Sequence, residues 1–251
     1  MCTVTFLPRR SGYRLGMNRD EKLARVTALP PTRVLLGGRE ALYPSEPTGG
    51  TWVGVNHAGA TLALINWYSA PARVAGQSLS RGEVVRVTLP SESAARVDSL
   101  LETLPLSCVN PFRLIGVFPT LKAVVEWRWD LARLERIAHQ WRAHTWISSG
   151  FDERGAQESR AKVFREALQG RSAGRVDWLR RLHASHGPER GPYSTCMHRE
   201  DAATVSYTEV AVSRQEAALS YTPGAPCCTR SLPALHLRLN PPEPCRPARG
   251  C

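Results

Sequence analysis

The stretch MCTVTFLPRRSGYRLGMNRDE (residues 1–21) decides the fold of this 251-residue chain. Polar and apolar residues alternate over residues 3–7, which predicts a β-strand, and residues 13–17 predict a returning strand. The proline and glycine between them are typical of a turn. In the hairpin that this turn predicts, Cys2 lies opposite Arg19. The first two strands therefore bring the end of this stretch to the N-terminus of the chain.

Cys2 follows the initiator methionine directly, so removal of Met1 makes it the N-terminal residue. It then carries both a thiol, with an ordinary pKa of about 8.5, and an α-amine, with an ordinary pKa of about 7.7–8.0. The amine can serve as the base for the thiol, which is one route to covalent acyl transfer. On this residue alone, a plain structural cysteine remains the alternative.

The composition indicates a soluble globular protein of one large domain or two small ones. No apolar run approaches the roughly 20 residues of a membrane-spanning helix, so we expect no membrane span. The N-terminus lacks the basic region and the long apolar core of a signal peptide, and a cytoplasmic location is therefore expected. The seven cysteines have no framework spacing, which favours reduced thiols.

The net charge of +11 comes from arginines that are spread along the whole chain. Neither an RNA-binding aromatic motif nor a zinc-finger spacing accompanies the charge. We therefore interpret the excess as a solvated basic surface and expect no nucleic-acid partner.

Hydrophobic periodicity predicts an α+β fold in which helices pack on the faces of antiparallel sheets. Residues 1–226 are expected to form the domain. The Pro-, Arg- and Cys-rich residues 227–251 are expected to be a disordered tail. The further predicted elements are a hairpin over 49–55 and 60–67, a helix capped by Ser91, strands over 113–118 and 121–129, helices over 156–168 and 176–183, and a hairpin over 203–212 and 216–221.

Several short motifs together resemble one family. Asn18-Arg19-Asp20-Glu21 follows the Met1-Cys2 start, and Gly49-Gly50-Thr51-Trp52 comes next. Gly54-Val55-Asn56-His57-Ala58-Gly59 and Ala63-Leu64-Ile65-Asn66-Trp67 continue the match. The chain resembles the NRDE family, also called the transport and Golgi organisation family, over roughly its first 226 residues.

The same motifs are similar, more distantly, to N-terminal-nucleophile hydrolases of linear amides such as penicillin V acylases and bile salt hydrolases. This resemblance implies a four-layer αββα sandwich in which Cys2 is the nucleophile. It also implies that Arg19 and Asp20 position Cys2 and that Asn66 donates to the oxyanion. Arg19 is expected to favour the thiolate. The alternative is an Arg–Asp pair that closes a hairpin end and an Asn that caps a turn.

Three residues are expected to contact a ligand, namely Asn18, Trp52 and Ser148. Ser148 stands where the hydrolases carry a second site asparagine. A hydroxyl is shorter than an amide and donates one hydrogen bond, so oxyanion stabilisation at this position is weaker or the fold serves another use.

Arg160 is a further site candidate, because it precedes apolar residues at i+3, i+4 and i+7 and so lies on the apolar face of its helix. A charge at such a position usually needs a carboxylate partner. Ser159-Arg160 also resembles a Ser-Arg motif of the amide hydrolases. The alternative is an arginine that snorkels at the edge of the apolar stripe.

Other residues with ligand or cofactor chemistry form no recognised motif. His183, His186, Cys196 and His198 are metal-ligand types, but they lack a partner pair at a known spacing. The glycine pairs lack a phosphate-loop pattern. We therefore expect no metal and no other cofactor. The tryptophans between residues 127 and 146 are interpreted as core, with a ligand pocket as the alternative.

The leading functional hypothesis is a cysteine amidohydrolase or acyltransferase for a small-molecule linear amide, acting on C–N bonds other than peptide bonds. Members of the transport and Golgi organisation family have also been linked to haem trafficking. The resemblance therefore implies an alternative, a non-catalytic carrier of haem or lipid metabolites. The expected partner is accordingly a small-molecule amide or an amphiphilic ligand such as haem. The substrate and the oligomeric state stay open.

Overall fold

The computed structural model describes residues 2–170, 173, 175 and 177–239. In this part of the chain, two antiparallel sheets carry four α-helices on their outer faces. The helices are α1 (Arg81–Thr88), α2 (Ala94–Thr103), α3 (Glu153–Gln169) and α4 (Trp178–His183). The strands are β1 (Cys2–Arg9), β2 (Gly12–Lys22), β3 (Leu29–Leu36), β4 (Arg39–Ser45), β5 (Val53–Asn56), β6 (Thr61–Asn66), β7 (Phe112–Phe118), β8 (Ala123–Trp129), β9 (Leu134–His139), β10 (His144–Ser148), β11 (Ala202–Val212), β12 (Glu216–Thr222) and β13 (Leu235–Arg238).

The two sheets stack face to face and the helices complete an αββα sandwich. The six-stranded sheet has the order β10-β1-β2-β11-β12-β13, and the seven-stranded sheet runs in chain order from β3 to β9. Apolar side chains such as Phe6 and Val55 form the core between the sheets. Leu101 belongs to a second core under α1 and α2, and Leu7 packs with Phe164 of α3 in a third. The predicted α+β class and layer order are confirmed.

The first hairpin has the predicted register, with Pro8 opposite Tyr13 and Cys2 opposite Arg19. Alternation along these strands places Cys2 and Arg19 on the side that faces the other sheet. The intervening positions face α3 and α4. The strand β2 also pairs with β11, and this pairing is interrupted by a bulge between Thr204 and Ser206. The bulge lies next to the end of β2, where the site residues cluster.

Some boundaries differ from those predicted. The helix α2 is capped by Ser93, whose Oγ accepts the backbone N–H of Arg96, while Ser91 is buried upstream. The proline-containing connection after the first hairpin forms β3 and β4. The strand β3 is an edge strand, and its two prolines fall where its pairing with β4 is irregular, between Leu29 and Thr32. The position expected to start α4, Val176, lies outside the described residues.

None of the helices in the described part of the chain combines the length and the apolar character that a membrane crossing needs.

The domain boundary expected at residue 226 is wrong, because described residues beyond it belong to the sandwich. The strand β13 pairs with β12 at the edge of the six-stranded sheet. Leu237 is fully buried in the core between the sheets, and Leu239 is nearly so. A four-residue strand is too short for periodicity to reveal. The domain therefore extends at least to Leu239, and residues 240–251 of the expected tail lie outside the described residues.

Shortening Leu237 to alanine should test this correction. We expect Leu237→Ala to lower the free energy of unfolding by about 2–5 kcal/mol, because it leaves a cavity in the core between the sheets. At about 2–4 °C per kcal/mol, the melting temperature should fall by roughly 4–20 °C. The neighbouring Arg238→Ala changes an exposed side chain of the same strand and is the control. Equal melting temperatures for both variants would mean that β13 contributes no packing.

Candidate functional site

The open end of the first hairpin borders a cavity of about 460 Å³. This volume lies in the range of roughly 300–1,000 Å³ that small-molecule sites occupy. Its walls come from both sheets and from the start of α1. They include five of the expected site residues, which are Cys2, Arg19, Asp20, Trp52 and Asn66.

Cys2 lies at the first position of β1, between two neighbouring strands. It is directly opposite Arg19 on β2 and Ser148 on β10. Side chains that oppose each other in this way share a face, with Cβ atoms about 4.5–5.5 Å apart. Ser148 therefore flanks Cys2, although it does not itself line the cavity. Its Oγ is buried and has no hydrogen-bond partner among the described residues.

Burial of the Cys2 thiol raises its pKa, and the Asp20 carboxylate adds to this effect. The positive N-terminus, Arg19 and the backbone N–H of Asp20 lower the pKa without cancelling the effect of burial. Arg19 does favour the thiolate of Cys2, as expected, but burial of the thiol outweighs this effect. The thiol is protonated near neutral pH and needs a base before it can act as a nucleophile.

Arg19 is fixed by carboxylates and by an aromatic ring. Its Nη2 donates to Oε1 of Glu46 at 2.8 Å and to Oε2 of Glu21 at 3.4 Å. Its guanidinium carbon lies 4.6 Å from the centre of the Trp52 ring. Arg25 also donates to both oxygens of Glu46, so the network balances two arginines with two carboxylates. The arrangement holds Arg19 beside Cys2 and leaves little free positive charge there.

Asp20 and Arg160 form an ion pair on the other face of β2, where both side chains are fully buried. Nη1 of Arg160 donates to Oδ2 of Asp20 at 3.0 Å and to Oγ1 of Thr3 at 2.8 Å, and Nη2 donates to the carbonyl of Pro192 at 3.2 Å. Oδ1 of Asp20 accepts a hydrogen bond of 2.6 Å from Thr204. The predicted carboxylate partner of Arg160 is confirmed. Arg160 itself lies outside the cavity and can act only through Asp20.

Asn18 does not face the cavity, so its expected ligand contact is corrected. It lies on the same face of β2 as Asp20, because residues two apart in a strand share a face. Its Nδ2 donates to the carbonyls of His183 and Thr195 at 2.9 and 2.8 Å. Both amide hydrogens are therefore used to hold α4 and the segment before β11 against the sheet. The alternation of side chains along β2 could have predicted that Asn18 faces away from the cavity.

Asn66 and Trp52 line the cavity and carry N–H groups that the described residues do not fully use. Nδ2 of Asn66 donates one hydrogen bond to the Tyr68 hydroxyl at 2.8 Å and keeps a second hydrogen. Nε1 of Trp52 is buried without a hydrogen-bond partner in the described part of the chain. An unpartnered buried N–H is costly unless a ligand accepts from it.

Arg81 is a cavity residue that the sequence prediction missed. It begins α1, whose N-terminal signature Ser80-x-x-Glu83 is typical of a capping box and could have revealed the helix. The helix approaches the backbone closely, since a Cβ on Gly82 would lie 2.8 Å from the nitrogen of Thr51. Nη1 of Arg81 donates to the carbonyl of Pro111 at 3.3 Å. No carboxylate among the described residues pairs with Arg81, so its charge is available to a ligand.

Comparisons with known proteins agree with this architecture. The model of a family described as Transport and Golgi organisation 2 matches residues 1–126. No curated protein matches the chain. A C2A mutant of the conjugated bile acid hydrolase from Clostridium perfringens is a similar solved structure, with 10% identity, a TM-score of 0.57, and coverage of 96% of this chain and 97% of that one. Penicillin V acylase from Agrobacterium tumefaciens is similar at 10% identity and a TM-score of 0.50, with 89% and 83% covered. At this identity the similarity shows the fold.

Proposed function

Since this chain belongs to the Transport and Golgi organisation 2 family and has the αββα fold of N-terminal-nucleophile hydrolases, we propose that it is a cysteine amidohydrolase or acyltransferase for a small-molecule linear amide. The observation that carries the proposal is the position of Cys2. Cys2 is the first residue of β1 and pairs with Arg19 on β2. It also lines a cavity large enough for a small molecule.

The proposed reaction begins after removal of Met1 has freed the α-amine of Cys2. The amine takes the thiol proton, and Sγ attacks the amide carbonyl carbon. The second hydrogen of Asn66 Nδ2 stabilises the oxyanion of the tetrahedral intermediate. When the C–N bond breaks, the α-ammonium returns the proton to the leaving amine and a thioester on Cys2 remains. Water then releases the acid in a hydrolase, and another nucleophile takes the acyl group in a transferase.

The raised pKa of Cys2 supports this order of events. A buried thiol with a raised pKa needs a base, and the freed α-amine of the same residue can serve as one. The Asp20 carboxylate acts electrostatically on Cys2, and we propose that it stabilises the α-ammonium once the amine has taken the thiol proton. Asp20 is thereby proposed to position the base, and Arg160 to position Asp20.

The charge in the cavity favours an amide that also carries an anionic group. Arg19 is balanced by Glu46 and Glu21, but Arg81 has no carboxylate partner among the described residues. It also stands at the N-terminus of α1, where the helix dipole attracts negative charge. We infer that Arg81 binds a carboxylate or a similar anion of the substrate.

The alternative is a non-catalytic carrier of haem or lipid metabolites. The observation that favours it is the mixed lining of the cavity, in which Val26, Leu64 and Leu79 provide apolar surface beside arginines. Such a lining suits an anionic amphiphile.

A panel of chromogenic N-acyl amides, measured beside a haem titration, distinguishes the two functions. We expect turnover of at least one amide, faster for acyl or amine parts that carry a carboxylate. Arg81→Gln should raise KM about 10-fold for anionic substrates and leave neutral ones unchanged, because it removes one charge-assisted hydrogen bond. Saturable haem binding without any turnover would instead support the carrier.

A further inference from the structure

Four metal-ligand side chains converge on the far side of β2 from the cavity. They are His186, Cys196, His198 and Cys227, and their ligand atoms all lie within 4.8 Å of one another. In this four-ligand cluster, the fold brings together residues whose spacing in the sequence matches no recognised metal-binding motif. Cys196 is buried and the other three are partly exposed, so an ion can reach the cluster from solvent.

Three distances in the cluster, all from Nε2 of His198, match the edges of a tetrahedron around a metal. Nε2 of His198 lies 3.2 Å from Nε2 of His186, 3.6 Å from Sγ of Cys196 and 3.5 Å from Sγ of Cys227. With Zn–N bonds of about 2.0–2.1 Å and Zn–S bonds of about 2.3 Å, tetrahedral geometry places two nitrogens about 3.3 Å apart and a nitrogen and a sulfur about 3.5 Å apart. All three measured edges agree with these values.

Hydrogen bonding alone does not account for the arrangement. A ring nitrogen of neutral histidine either donates one hydrogen or accepts through one lone pair. Nε2 of His198 nevertheless has three polar atoms within 3.6 Å. At most one of these contacts can be a full hydrogen bond, whereas a shared metal ion explains all three.

We propose that the four-ligand cluster binds one Zn²⁺ ion in a closed tetrahedral site with a structural role. Two thiolates and two imidazoles are the donor set that zinc prefers, and four protein ligands leave no open position for catalysis. On binding, the two thiols release their protons to solvent. Nη2 of the exposed Arg190 lies 3.4 Å from Nδ1 of His198. A histidine that ligates through Nε2 carries its hydrogen on Nδ1, so Arg190 would turn away from Nδ1 when the ion binds.

The ion would connect three separate segments that lie next to the Asp20–Arg160 ion pair. His186 follows α4, Cys196 and His198 precede β11, and Cys227 follows β12. The carbonyl of Thr195 accepts from Asn18, and the backbone N–H of Met197 donates to Thr204 Oγ1, which itself donates to Asp20. The segment between the ligands is thus bonded directly to the residues that hold Asp20.

Metal analysis of the full chain tests the proposal. The protein is purified without a histidine tag, in a non-thiol reductant, and loaded with Zn²⁺ or Co²⁺. We expect about one Zn²⁺ per chain and a melting temperature that falls on chelation, since a ligand bound only to the native state stabilises it. Co²⁺ should give a thiolate charge-transfer band and the intense visible bands of tetrahedral coordination.

Cys227→Ser and Cys228→Ser form a matched pair of variants. Cys227→Ser should weaken Zn²⁺ binding by more than ~100-fold, because loss of a second-shell partner alone costs about 10–100-fold. The adjacent Cys228 is exposed and lies outside the cluster, so Cys228→Ser should bind like the wild type. A wild-type chain that binds neither ion, or a Cys196–Cys227 disulfide that persists in the reduced protein, would overturn the proposal. Should Cys227→Ser fail to fold, the Co²⁺ spectrum of the wild type decides.

Discussion

Cys2→Ala is expected to lower the rate of amide hydrolysis by about 10³–10⁶-fold, because it removes the nucleophile on which every step of the proposed reaction depends. The substrate should still bind, since alanine leaves Arg81, Asn66 and Trp52 in the cavity wall unchanged. The effect should therefore appear in kcat, with little change in Kd. Initial rates and equilibrium binding of one anionic amide measure the two quantities separately.

Two comparison variants make this result specific. Cys108→Ala removes an exposed thiol that does not line the cavity and should react like the wild type. Asn66→Ala should cost about 10²–10³ in kcat, the usual loss for one oxyanion donor. Full activity in Cys2→Ala would assign the chemistry to another group.

Breaking the ion pair between Asp20 and Arg160 is expected to be strongly destabilising. Arg160→Met leaves the Asp20 carboxylate buried without its cation, and such changes cost about 3–5 kcal/mol. The melting temperature should fall by roughly 6–20 °C. Because Arg160 lies behind Asp20, kcat should also fall and its pH profile should shift, while KM changes little. Thermal unfolding and pH–rate profiles measure these effects.

The contacts of Arg160 suggest the controls. Arg160→Lys keeps the charge but cannot reach Asp20, Thr3 and Pro192 together, so it should restore the pH profile more than the stability. Arg154 pairs with Glu158 on the exposed face of the same helix, and Arg154→Ala should change neither property. A melting temperature for Arg160→Met within 2 °C of that of Arg154→Ala would contradict the assigned role.

Local patterns in the sequence predicted the first hairpin and the burial of Arg160. The register of β1 and β2 depends on a short turn, and the buried face of α3 depends on helical periodicity. Local sequence patterns could not identify the carboxylate that pairs with Arg160, since Asp20 lies 140 residues away in the chain. The expected ligand contact of Asn18 is wrong because strand alternation places its side chain on the opposite face of β2 from that of Arg19.

The four-ligand cluster could not be predicted for a related reason. Cys227 meets His198 across 29 residues of sequence, after the β11–β12 hairpin has returned the chain. No fixed ligand spacing encodes such a contact. The strand β13 was missed because it is short, and β3 because its prolines are typical of a loop as well as of an edge strand.

Intact-mass spectrometry of the purified chain after mixing with an activated N-acyl amide tests most directly whether Cys2 is an N-terminal nucleophile. The account predicts a chain that lacks Met1 and, after an acid quench, carries one acyl group that peptide mapping assigns to Cys2. The adduct should be absent from Cys2→Ala. Active protein that retains Met1, or an acyl group that forms equally well in Cys2→Ala, would contradict the proposed mechanism.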